Sequence, residues 1–135
     1  MFEITTLAAK DTFTLELLNS NDEPIVNADG SKPSVTLYGP GSKVFQKAQA
    51  ARTQRMLDRM AKKGKVKLSA EEQMREQAEF LAACTASMHG WAYKGATDEA
   101  AVLAAYSDPS IGFIADQVAK AIGDWANFTN EPSMT

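Results

Sequence analysis

The chain has 135 residues, with one cysteine (Cys84) and one histidine (His89). A lone cysteine excludes an intramolecular disulfide. Small secreted domains more often carry cysteine pairs, so a reducing compartment is favoured. Zinc sites gather several nitrogen and sulfur ligands at close spacing, and one histidine with one cysteine does not supply them. No stretch approaches the ~20 consecutive apolar residues that span a bilayer. The opening Met1-Phe2-Glu3-Ile4-Thr5-Thr6 has no basic residue ahead of an apolar run and does not look like a secretory leader. The expected setting is a cytoplasm. The chain is 44% hydrophobic and 23% charged, which is ordinary for a globular domain. Its length suits a single domain able to bury roughly two thirds of its unfolded surface.

The net charge of -3 is unevenly spread. Residues 1–42 hold two lysines against six carboxylates, and residues 68–135 hold three cations against ten carboxylates. Between them, residues 43–67 hold nine lysines and arginines against Asp58 alone. Such a basic block predicts a solvated face, a contact with the acidic flanks or an acidic partner; binding to a phosphate backbone is the alternative.

The first 42 residues read as strands. Thr12 to Leu18 alternates polar and apolar, placing Phe13, Leu15 and Leu17 on one face. Asn19-Ser20-Asn21-Asp22 and Asn27-Ala28-Asp29-Gly30 are turns, Ile25-Val26 is a short edge run after Pro24, and Ser34 to Tyr38 alternates again. Two or three such strands need a cover for their apolar face.

From Ser42, a candidate N-cap, the pattern becomes helical to about Lys63, with Gly64 as the stop. On a helical wheel Phe45, Met56, Leu57 and Met60 lie on one side, while Arg52, Arg55, Arg59, Lys62 and Lys63 occupy a ~100° arc largely apart from them. Ser69 with Glu72 forms a capping box before a helix whose stripe runs Met74, Ala78, Leu81, Cys84, Thr85 and Met88, ending at Gly90. An aromatic loop, Trp91 to Gly95, follows. Thr97 is the expected cap of a short helix containing Val102, Leu103 and Tyr106. Asp108 and Pro109 open the last helix, whose stripe is Ile111, Ile114, Ala115, Val118, Ala121, Ile122 and Trp125. Asn130 to Thr135 reads as a frayed tail. The predicted fold class is α+β in one domain: a β-meander of two or three strands in 1–42, then about four helices in 43–129.

Catalytic constellations are scarce. Placed five residues apart on one helix, Cys84 and His89 point about 500° of rotation apart, and His89 reads as a partner of helix-end carbonyls. Gly39-Pro40-Gly41-Ser42-Lys43 lacks the spacer and the ending of a phosphate loop, and Pro40 removes an amide donor. The carboxylate pairs Glu71/Glu72 and Asp98/Glu99 suit helix first turns. No catalytic, cofactor or metal residue is assigned, and the chain reads as a non-enzyme.

Three stretches together look familiar: Leu37 to Ser42 leading into a helix rich in Lys, Arg, Ala and Gln; Phe80-Leu81-Ala82-Ala83-Cys84-Thr85 before the aromatic loop; and Asp108-Pro109 through Gln117-Val118 to Ile122-Gly123-Asp124-Trp125-Ala126-Asn127-Phe128. The last resembles the carboxy-terminal segment of the tail assembly chaperones of long-tailed bacteriophages and prophages, with their Gln-Val and Ile-x-Asp-x-x-Asn-Phe run. The resemblance covers residues 12 to 128. It implies a non-enzymatic protein of the host cytoplasm that coats the helical tape-measure protein before the tail tube polymerises, and that is absent from the finished virion. In some relatives a ribosomal frameshift adds a domain that recruits tail tube subunits. The implied partners are therefore the tape-measure protein, the tube protein and further copies of the chain; no membrane is involved. The family supplies no motif that fixes binding residues. Trp91, Tyr93 and Phe128 lie outside the cleanest stripes, and are expected either to join a partner surface or to close the core over the sheet. The other readings are a nucleic-acid-binding protein using Arg52, Arg55, Arg59, Lys62 and Lys63, and a structural tail or neck component.

Overall fold

Alternation in the first third of the chain produces the two strands that it predicts. The computed structural model describes residues 1–63 and 68–129, with only the backbone of Lys63. Strand β1 (Thr12–Glu16) pairs antiparallel with β2 (Ser34–Tyr38), setting Phe13 opposite Leu37 and Leu15 opposite Val35. Leu17, Val35 and Leu37 are buried on the inner face. Asn19 organises the first turn, its Oδ1 accepting from the N–H groups of Asn21 and Glu23 at 2.9 and 3.0 Å. No strand forms at Ile25-Val26. Leu18 and Pro24 make a single bridge instead, since proline has no N–H to extend a ladder.

Ser42 caps helix α1 (Lys43–Lys63), accepting from Phe45 N–H at 3.1 Å and donating to Gly39 O at 2.7 Å. Gly39 is required there, because a Cβ would lie 2.4 Å from the Phe128 ring. The expected stop at Gly64 and the tail at 130–135 lie outside the described residues. Helix α2 (Ala70–Ala83) begins with the expected capping box between Ser69 and Glu72.

That helix stops earlier than its apolar spacing suggests. Thr85 Oγ1 donates to Leu81 O at 2.8 Å, and residues Thr85–His89 become strand β3, antiparallel to β2. The sheet order is β1-β2-β3, so the meander's third strand comes from beyond two helices, within the stretch expected to be wholly helical. Thr85, Ser87 and His89 alternate with Ala86 and Met88, and the free side of β2 rewards that period of two with ladder bonds.

Helix α3 (Glu99–Tyr106) is capped by Asp98, not Thr97: Asp98 Oδ1 accepts from Ala101 N–H at 3.0 Å. Asp108 caps a 3-10 turn (Pro109–Ile111) that leads into α4 (Gly112–Ile122). Ile114, Ala115, Val118, Ala121 and Ile122 are buried as the wheel predicts. Trp125 is 55% exposed, because α4 ends at Ile122 and the wheel no longer applies. Helix α5 (Ala126–Thr129) turns Phe128 under β1, edge-on to Phe13 at 5.8 Å. The architecture is α+β, with the core between the inner face of the sheet and the helices.

Candidate partner-binding surface

Helix α1 presents a different face to the protein from the one its apolar residues mark. Phe45 packs edge-on to Phe80 of α2 at 5.6 Å, and Ala48 is buried one turn later. Continuing at helical spacing, Arg55 and Arg59 are half-buried toward α2, and Arg52, itself exposed, lies along the same side. The Arg52 guanidinium lies 4.9 Å from the Phe80 ring centre. Arg55 donates to Glu76 Oε1 at 2.7 and 2.9 Å and approaches Glu79 at 3.3 Å. Arg59 donates to Glu76 Oε2 at 3.0 Å. Glu76 is only 9% exposed. Burial pushes its carboxyl up, but the hydrogen bonds and charges of the two arginines outweigh that and hold it below its ordinary value. A charged carboxylate with both oxygens in use fixes the rotation of α1 about its axis.

The consequence is that Met56, Leu57 and Met60 are 38%, 49% and 41% exposed. Grouping Phe45 with these three is corrected: Phe45 belongs with the arginines on the protein side. Lys62 is exposed on the same helix, and the side chain of Lys63 lies outside the described residues. Glu76 and Glu79 were not singled out in the sequence. Their signal is there nonetheless, since Glu72, Glu76 and Glu79 share a helical face that mirrors the arginine spacing.

Of the three aromatics, Phe128 is 1% exposed and closes the core, so it presents no surface. Trp91 and Tyr93 are half-buried. Trp91 Nε1 donates to Ser34 O at 3.0 Å, and Tyr93 Oη donates to Asp108 Oδ2 at 2.8 Å. The turn between Tyr93 and Ala96 has positive φ at Lys94 and Gly95, the two-residue hairpin geometry that favours glycine. These aromatics pin the loop to the sheet and to the turn that precedes α4, beside a cleft of about 380 Å³ that Leu17 and Ile25 also line.

His89 is on a strand, not at a helix end. Its Nε2 lies 2.9 Å from Ser87 Oγ and 3.1 Å from Thr36 Oγ1, which in turn meets Thr14 Oγ1 at 3.0 Å. Two hydroxyls share one ring nitrogen on the open sheet face, so the arrangement activates neither in particular. Cys84 is buried, and burial raises its thiol to about 11, away from thiolate chemistry. Among the described residues no group of three or more His, Cys, Asp or Glu could hold a metal ion, and no helix is long and apolar enough to cross a membrane.

Compared with known protein families, with curated proteins and with solved structures, the chain matches none.

Proposed function

We propose that this chain is a non-enzymatic tail assembly chaperone of a long-tailed phage or prophage, which binds and solubilises the tape-measure protein in the host cytoplasm. The observation that carries this reading is the exposed Met56, Leu57 and Met60 stripe on a helix whose Arg55 and Arg59 face inward. An apolar stripe left in water suits a helical partner that would otherwise expose its own apolar side, and methionine adapts its shape to such partners. The carboxy-terminal resemblance supplies the identity of the partner. The nucleic-acid alternative retains Lys43, Lys47, Arg52 and Lys62 as exposed cations, but Arg55 and Arg59 are engaged by Glu76 and Glu79.

Co-expression with a long helical phage tape-measure protein tests the proposal. The tape-measure protein is expected to become soluble and to copurify. Insolubility in the presence of well-folded chain removes the reading, and stoichiometric recovery of the chain from mature particles replaces it with a structural tail role.

A further inference from the structure

The two edges of the sheet are finished differently. Leu17 N–H bonds Pro33 O, so Leu18 turns its backbone away from β2, and there the Gln117 side-chain amide accepts from Leu18 N–H and donates to Leu18 O, both at 2.8 Å. At the other end of β1, Lys10 N–H donates to Phe128 O at 2.7 Å. Side chain and loop thus tie both ends of the β1 edge. Strand β3 has no neighbour on its outer side among the described residues. Tyr38 N–H donates to Cys84 O, and Thr36 and Ser34 stand opposite Ser87 and His89. This ladder turns the backbone of Ser87 and His89 toward β2 and leaves the N–H and C=O of Met88 pointing outward.

Along that open edge runs a groove of about 750 Å³, bounded by β3 on one side and α3 on the other. Val102 and Leu103 give it an apolar wall, and Asp98 and Glu99 stand at one end. Its lining contains those two carboxylates and no lysine or arginine. Asp98 spends one oxygen capping α3, while Glu99 is exposed.

We propose that this groove binds an extended peptide segment of another protein, which pairs with Met88 as a fourth strand and sets a lysine or arginine against Asp98 and Glu99. Main-chain bonds to an exposed edge give such a peptide affinity, and its alternate side chains meet the apolar wall of α3. The bulge in the β2–β3 ladder at Thr36/Leu37 confines regular pairing to the His89 end. Charge argues against a second copy as the occupant, since pairing two such edges brings two acidic grooves to one seam without a cation from either lining. The site is separate from the α1 stripe and stands whether or not that stripe binds a tape-measure protein.

The test uses the full chain and a fluorescein-labelled heptapeptide, Lys-Val-Thr-Val-Thr-Val-Lys, with a glutamate-flanked counterpart, read by fluorescence anisotropy. The lysine-flanked peptide is expected to bind at least about tenfold tighter, and Glu99→Lys is expected to reverse that preference. N-methylation of the peptide at each position in turn is expected to weaken binding about tenfold at one position, the residue whose N–H meets the Met88 C=O, and it leaves the protein untouched. Any of three results overturns the proposal: no binding at millimolar peptide, equal binding of both peptides, or an N-methyl scan in which no single position weakens binding.

Discussion

Helix α4 buries Ile114, Val118 and Ile122 in the core, whereas α1 leaves Met56, Leu57 and Met60 in solvent. Both helices carry an apolar stripe in the sequence. What separates them is the opposite face: α4 offers Asp116 and Lys120, which remain exposed, while α1 offers arginines at the spacing of the glutamates on α2. A buried carboxylate that accepts from two guanidinium groups is directional, and apolar contact is not. Direction wins the rotation of α1. The stripe left outside is then available to another chain.

That contrast orders a series of substitutions, each read by denaturant or thermal unfolding. Ile122→Ala, on the buried stripe, is expected to cost about 2–5 kcal/mol through lost burial and a cavity. Glu76→Gln comes next, at about 1–3 kcal/mol, because it leaves Arg55 and Arg59 half-buried without their charged partner. The same carboxylate gives the comparison a pH dependence. Its folded pKa lies below the ordinary 4.5, so its stabilisation is complete above that value and is lost as pH falls through the folded one. Unfolding at pH 7 and pH 3 should therefore narrow the gap between wild type and Glu76→Gln; an unchanged gap would place the ion pair outside the stability of the fold. Arg52→Ala is expected to cost about 0.5–1 kcal/mol for its contact with the Phe80 ring. Smallest of all, Leu57→Ala on the exposed stripe should stay within about 0.5 kcal/mol of wild type.

Much of this architecture is legible from local chemistry. Alternation locates β1 and β2, the Ser69/Glu72 box starts α2, Asp108-Pro109 opens the 3-10 turn that leads into α4, and the α4 stripe is core. Each depends on neighbours within a few residues. What the sequence conceals depends on distant partners. Residues 85–89 continue the helical spacing of α2 through Met88, yet the free side of β2 captures them as a strand. Trp125 fits the α4 wheel only if the helix runs past Gly123, and it does not. The inward face of α1 is readable only when two helices are considered together, because Arg55 and Arg59 become interior groups through Glu76. The groove beside β3 could not be foreseen while β3 itself was read as helix.

Replacing Met56, Leu57 and Met60 together by serine tests the central claim most directly, with the thermal midpoint and tape-measure solubility measured on the same variant. The account predicts a midpoint close to wild type and a tape-measure protein that stays insoluble on co-expression. A triple variant that unfolds, or one that folds and still keeps the tape-measure protein in solution, would contradict it.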